Sequence, residues 1–208
     1  MRSTSICYAH GSCLLLFLVL FFLPQQLLAV QPLALSLEES AWLEAHPVIR
    51  VMNEPDYAPY DFQVNGEASG FSIDYIGLVF KRLGIEPEFV QGNFSELINK
   101  AKNREIDLLH SIFQYPKSRE KYLHFSQPYK KSVNVILTRT TESNIASVAD
   151  LNGRTVALVK GEVALKEIRQ KYPAVNTLEF DSYEAAIKAV SFGQADASIN
   201  ELPVANFL

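Results

Sequence analysis

Between Val48 and Ile112 the chain alternates short apolar runs with segments of helical period, and this alternation narrows the possible folds sharply. Val48-Ile49-Arg50-Val51-Met52 reads as a strand rich in β-branched residues. From Asp74, the residues Ile76, Val79, Phe80 and Leu83 have the i, i+3, i+4, i+7 spacing of an amphipathic helix, and Gly84 stops it. Glu88 to Gln91 is a second strand, and Asn93 with Glu96 opens a helix that buries Leu97, Ile98 and Ala101. Ile106 to Ile112 is expected to be a third strand. Strand, helix, strand, helix, strand with short connections implies parallel βαβ units.

The pattern recurs further on. Ser132 to Thr138 reads as a strand that closes a first lobe, and a second lobe begins after it. Thr155 to Val159 is a strand, and a helix carrying Leu165, Ile168 and Tyr172 follows, ended by Pro173. Leu178-Glu179-Phe180 is a strand, and Ser182 caps a helix with Tyr183, Ala186, Ile187 and Val190 inward. Asp196 to Asn200 is a last strand, with Glu201 just past its end. The fold class is therefore α/β, with two similar lobes and a cleft between them. In parallel sheets ligands sit beyond the carboxyl ends of the strands, where the Tyr57–Phe62 and Gln114–Arg119 loops fall.

The N-terminus carries a different signal. Arg2 precedes Cys13 to Leu23, an unbroken apolar run of 11 residues that ends at Pro24. A transmembrane helix needs about 20 residues, so the run suits a signal-peptide core, with cleavage expected after Ala29. Residues 1–29 are read as the signal peptide, and 30–47 as a spacer with a lead-in helix opened by the capping box Ser36-Leu37-Glu38-Glu39. Lobe one is placed at 48–138 and lobe two at 139–208. The chain stops in the helix begun by Leu202 to Leu208 without returning to lobe one, so a longer parent chain is expected. The expected location is the periplasm.

Composition removes several function classes. The net charge of −4 comes without a basic stripe, which argues against nucleic acid as a partner. Both cysteines, Cys7 and Cys13, lie in the leader, and His46, His110 and His124 are scattered, so neither a metal site nor a cofactor site is expected. No nucleophile–base pair stands out. Ser111 and His110 come nearest, but neighbours on a strand point to opposite faces and are not expected to form a dyad. Acids do lie near the expected cleft, at Asp61, Glu162 and Glu201.

The stretch Asp107 to Tyr129 brings one guanidinium and several aromatic rings together, breaking at Tyr115-Pro116 before a short basic helix that carries Arg119. Arg119 has the donor fork that suits a carboxylate. The plainer alternative is a pair with Glu120 or another surface acid on a solvated turn. Asp107…Arg119…Phe125-Ser126-Gln127-Pro128-Tyr129 resembles the signature of the family 3 bacterial extracellular solute-binding proteins. Tyr57-Ala58-Pro59-Tyr60-Asp61-Phe62, Gly70-Phe71-Ser72-Ile73-Asp74, Leu151 to Ala157 and Gly193 to Ala205 resemble that family in register.

The resemblance implies a two-lobed clamshell of the periplasmic-binding-protein type II kind that closes on a small solute. It implies Arg119 for the ligand carboxylate and Glu201 for its amine. Tyr57, Tyr60 and Phe62 would form an aromatic wall, Gln114 would lie in the loop before Arg119, and Gly161 to Ala164, including Glu162, would line the loop of lobe two. Core packing for the tyrosines, and a helix-start role for Glu201, are the plainer alternatives. Ile112, Gln114 and Pro116 depart from the family's residues, as do Glu162 and Val163.

The lead-in Leu37 to Val51, with Trp42-Leu43 and His46-Pro47, is similar to the entry of Venus-flytrap sensor domains of histidine kinases and diguanylate cyclases. The expected function is solute binding by a sensor that acts through its own membrane-anchored output domain. The alternative is a binding protein that docks on an ABC permease. An enzyme of this fold, such as a cyclohexadienyl dehydratase or a lytic-transglycosylase relative, is disfavoured.

Overall fold

The computed structural model describes residues 33–208, except 115, 116 and 143. The expected signal peptide, its cysteines and the break at Tyr115-Pro116 lie outside the described residues. Helix α1 (Leu37–Ala45) opens on the expected capping box: Ser36 Oγ accepts from the Glu39 amide and Glu39 accepts from the Ser36 amide. None of its residues is buried.

The first lobe is built on β1 (Ile49–Asn53) and β5 (Pro87–Gln91), which pair in parallel from Ile49↔Pro87 to Asn53↔Gln91. Successive side chains of β1 face opposite ways. Ile49 and Val51 pack on Ile76 and Phe80 of α2 (Phe71–Leu83), whereas Met52 packs on Phe94, Leu97 and Ile98 of α3 (Phe94–Lys102). A sheet covered on both faces is what a near-continuous apolar strand requires. Helix α2 begins at Phe71, one turn earlier than its apolar period suggested, and α3 carries the expected Asn93–Glu96 box.

Between β1 and α2 lies an antiparallel ribbon of β2 (Asp56–Tyr57), β3 (Asp61–Val64) and β4 (Glu67–Ser69). Asn65 (φ 55°) and Gly66 (φ 85°) form its two-residue turn, with both residues at the positive φ that such a turn demands. Gly70 (φ 121°) brings its backbone against Tyr60. A Cβ there would lie 2.5 Å from the Tyr60 carbonyl oxygen, so only glycine holds the Tyr57–Tyr60 loop in this position.

Two expectations are corrected. Ile106 to Ile112 is not a strand: it makes one isolated parallel bridge, Val51↔Leu108, and the backbone turns to φ 55° at Ser111. Ser132 to Thr138 does not close the first lobe. Its core, β6 (Asn134–Thr138), pairs antiparallel with β9 (Ala197–Glu201), so the crossing between lobes precedes Asn134. Cross-strand hydrogen bonding decides this membership, and the strand's own composition carries no sign of it.

The second sheet has the order β6-β9-β7-β8, with β7 (Thr155–Val159) parallel to both β9 and β8 (Asn176–Phe180). Val156 and Leu158 pack on Leu165 and Ile168 of α4 (Val163–Lys171). Ala157 and Val159 face the opposite way, onto Tyr183, Ala186 and Val190 of α5 (Tyr183–Ser191). Helix α6 (Leu202–Phe207) starts at the end of β9. Tyr57 and Tyr60 of the first lobe join the Ala157–Tyr183 cluster, so the two lobes share a piece of core.

Candidate functional site

The strand ends deliver the polar side chains. β1 ends at Asn53, and Glu54 follows it. β7 ends before Gly161-Glu162, and β9 ends on Glu201. These ends face the Tyr57 loop, and a cavity of about 170 Å³ lies among them, lined by Tyr57, Phe113, Asn134, Glu162, Glu167, Tyr183, Asn200 and Glu201 with apolar neighbours.

Glu201 is buried and fully engaged. Oε1 accepts from the Tyr57 hydroxyl, and Oε2 accepts from Lys130 Nζ at 2.9 Å and from the Ser132 hydroxyl. Lys130 Nζ also sits 3.0 Å from the centre of the Tyr60 ring, a cation–π position. Tyr57 stacks on Tyr183 with ring centres 4.8 Å apart, and the Tyr183 amide donates to Asp56 Oδ2 at 2.8 Å. Burial and the neighbouring carboxylates push both tyrosine hydroxyls well above their usual range, so both donate. The tyrosines therefore combine core packing with a bond to a cleft acid.

Glu162 stands between two cavities. Its carboxylate accepts from the Tyr183 hydroxyl and from the Val163 amide at the start of α4. It lines the 170 Å³ cavity and also a second one of about 250 Å³ that contains Arg119, Gly161, Ser95 and Lys166. Burial raises the Glu162 carboxyl, and the hydrogen bond from Tyr183 and the Arg119 charge hold it down. Arg119 is itself buried, donating Nη1 to the Phe113 carbonyl at 2.9 Å and lying 5.4 Å from the centre of the Phe94 ring. Desolvation lowers the guanidinium, and Glu162 is its strongest charge partner. The surface pairing with Glu120 does not form: Glu120 accepts instead from Gln114.

Three predicted site residues line neither cavity: Tyr60, whose ring faces Lys130, and Gln114 and Phe62. Gln114 is exposed, and its amide donates to Glu120. Phe62 alternates with Asp61 on β3 and packs on Phe207 of α6, ring centres 5.6 Å apart. Asp61 also stays out of the cavities. It is buried in the first lobe, accepting from Asn53 Nδ2 (2.6 Å) and the Glu54 amide (2.8 Å), and burial lifts its carboxyl to about 7. His110 Nε2 lies 3.7 Å from Asp61 and 2.9 Å from the Met52 carbonyl, and burial lowers the imidazole to about 4.

The expectation that His110 and Ser111 cannot meet is overturned. Because Ser111 leaves the extended region, its Oγ comes 3.2 Å from His110 Nδ1 and also bonds Ser72. Neither residue lines either of the two cavities described above. Among the described residues no group of three or more His, Cys, Asp or Glu side chains converges on a metal position.

Sequence reasoning missed Glu54, Lys130, Tyr183 and Asn200. Glu54 is buried beside Asp61 and the Glu162 charge, and desolvation raises its carboxyl well above the usual range. Its position, one residue past a strand's carboxyl end, was the available signal. Asn200 is 3% exposed, is one of the residues lining the smaller cavity and donates to Ser198 Oγ, while its buried Oδ1 has no partner among the described residues. Lys130 lies between the family-like Pro-Tyr turn and β6, where nothing local marks it.

Comparison with known proteins bears on the family and the fold. The virulence sensor protein BvgS of Bordetella pertussis is 32% identical over 168 residues, 80% of this chain and 14% of that much longer protein. The crystal structure of the BvgS periplasmic VFT2 domain superposes with a TM-score of 0.72 at 31% identity, covering 84% of this chain and 74% of the domain. The ABC transporter arginine-binding protein 1 of Escherichia coli is 28% identical over 151 residues, 72% of this chain and 61% of that protein. An ancestral amino acid-binding protein described as a precursor of cyclohexadienyl dehydratase superposes with a TM-score of 0.74 at 28% identity, covering 81% and 76%. The model of the bacterial extracellular solute-binding proteins, family 3, matches residues 49–191. Spanning most of both lobes, that match establishes that the chain belongs to the family 3 extracellular solute-binding proteins and has their two-lobed, type II fold.

Proposed function

We propose that this chain is a periplasmic sensor domain that binds a small polar solute, an amino acid or a molecule of similar chemistry, in the cleft between its lobes. The observation that carries this reading is the cavity between Tyr57 and Asn200. It lies at the strand ends between the lobes, and its wall is polar as well as apolar, with Asn134, Glu162, Asn200 and Glu201 beside the Tyr57 and Tyr183 rings. The acidic side chains of Glu162 and Glu201 in the cavity wall favour a solute that carries a positive charge. Arg119 in the adjoining cavity suits a carboxylate on the same molecule.

Lobe closure on the solute is the transmitted signal, passed to the protein's own membrane-anchored output domain. The similarity to BvgS supports the sensor role. The arginine-binding relative favours a second reading, in which the closed form docks on an ABC permease. Both readings place the chain in the periplasm behind a cleaved signal peptide at 1–29, with a lead-in to residue 47 and a change of lobe before Asn134. We infer binding rather than catalysis, since the cleft acids are already engaged by the chain's own tyrosine, serine and lysine donors and the relatives named above include an arginine-binding protein and a sensor.

A thermal-shift screen against amino acids, polyamines and organic acids tests the reading. A solute present at about 100 times its Kd stabilises the fold by about 2.7 kcal/mol. A hit that disappears in Arg119→Ala, with the circular-dichroism spectrum unchanged, supports the carboxylate anchor. A hit retained at full affinity in that variant overturns it.

A further inference from the structure

The cleft already contains both charges of an amino acid, supplied by the chain itself. An ammonium group, Lys130 Nζ, lies 2.9 Å from Glu201 and 3.0 Å from the Tyr60 ring centre, so it sits in a box of one carboxylate and one aromatic face. That is the surrounding a bound ammonium seeks. A carboxylate, Glu162, shares a cavity with Arg119 and is the main charge acting on it. Each of the two groups proposed to hold the solute's charges therefore faces an internal group of the opposite sign.

The same contacts join the lobes. Tyr57 reaches from the first-lobe ribbon to Glu201 at the end of β9, and Asp56 accepts from the Tyr183 amide. Gly161 lies so close to α3 that a Cβ would stand 3.3 Å from the Phe94 ring and 3.4 Å from Ser95 Cα. Lys130 and Ser132 come from the segment that crosses between the lobes just before β6. Their bonds to Glu201 tie the crossing segment to the second sheet.

We propose that Lys130 is a tethered stand-in for the solute's ammonium: it holds Glu201 and keeps the lobes together without a solute, so that a solute's cation binds only by displacing it. This rests on the cleft being the solute site. Lys130 thereby sets specificity. A weak or neutral solute does not compete, and one that presents a cation to both Glu201 and the Tyr60 face does. A tether that occupies its site in about 90% of molecules lowers the apparent affinity of a competing cation roughly tenfold.

The test separates the tether from solute binding by reading lobe separation directly. Spin labels at the exposed positions Leu78→Cys and Phe192→Cys, in the full chain with Cys7 and Cys13 changed to Ser, report the distance between lobes after unfolding and refolding to strip any solute. The parent protein is expected to give one short distance. Lys130→Met keeps the apolar stem and removes the charge, and is expected to add a longer distance; Lys130→Arg is expected to keep the short one. Identical distributions for the parent and Lys130→Met overturn the proposal. If Lys130→Met fails to fold, Glu201→Gln carries the same test, because it keeps a carbonyl acceptor and loses the charge. Titration of both proteins with L-arginine then reads the other arm. Binding that tightens roughly tenfold in Lys130→Met supports displacement. Binding of equal strength in both overturns it. Failure of every solute in the thermal-shift screen, with the distance change intact, counts against the solute reading alone.

Discussion

His110 gives a pH signature that can be worked from the structure. Its ring is buried against the Met52 carbonyl and Asp61, and burial lowers its pKa from 6.5 to about 4. Below pH 6.5 the unfolded chain takes up a proton that the folded ring refuses. The unfolded state then binds more protons, and stability falls as pH drops. The window runs from 6.5 down to about 4, or 2.5 units, and at 1.36 kcal/mol per unit the loss is about 3.4 kcal/mol.

Asp61 has the opposite sign. Its folded pKa of about 7 lies above the usual 3.8, so the folded state holds the extra proton and stability falls as pH rises from 3.8 to 7. Between pH 4 and 6.5 the two effects offset each other in the native protein. His110→Gln retains an amide to donate to the Met52 carbonyl and removes the titration. Urea unfolding of both proteins at pH values from 4 to 7.5 is the assay. The stability of the native protein relative to His110→Gln should fall by about 1.4 kcal/mol per unit on acidification from 6.5 to 4, then level off. Buried acids elsewhere, such as Glu54, act in both proteins and cancel in the difference. Parallel pH curves across that window would refute the buried-neutral assignment of His110.

Gly70→Ala should lower stability by about 1–3 kcal/mol from backbone strain alone, and by more if the Tyr60 carbonyl cannot yield; the urea midpoint reads this, and an unchanged midpoint would contradict the close approach. The two capping boxes should respond differently. Asn93→Ala removes the cap of a helix packed on the core and should cost about 1 kcal/mol of global stability. Ser36→Ala uncaps a helix with no buried residue, so helical signal should fall while the main unfolding transition stays in place.

Much of the fold was legible because it is written in local rules. The Asn93–Glu96 box, the Asn65-Gly66 turn and the glycine after α2 each act within a few residues. The helix periods and β-branched runs state which faces must be covered, and so predict two α/β lobes. Arg119, Tyr57, Tyr60, Gly161, Glu162 and Glu201 could be picked out because strand ends gather polar residues at one edge, and all but Tyr60 line one cavity or the other. Gln114 and Phe62 could not be sorted from them. Gln114 turns to Glu120 on the surface, and one step of strand alternation from Asp61 sends Phe62 to Phe207.

What the sequence by itself determined, then, is the element order, the lobed α/β class and the family, since these follow from periodicity and short motifs. The tertiary structure alone decided that β6 joins the second sheet, that His110 meets both Ser111 and Asp61, and that Lys130 sits on Glu201. The last pair is separated by 71 positions in the chain. The reason is physical: burial and charge pairing depend on which distant segments share a volume, and no residue carries that information until the chain has folded around it.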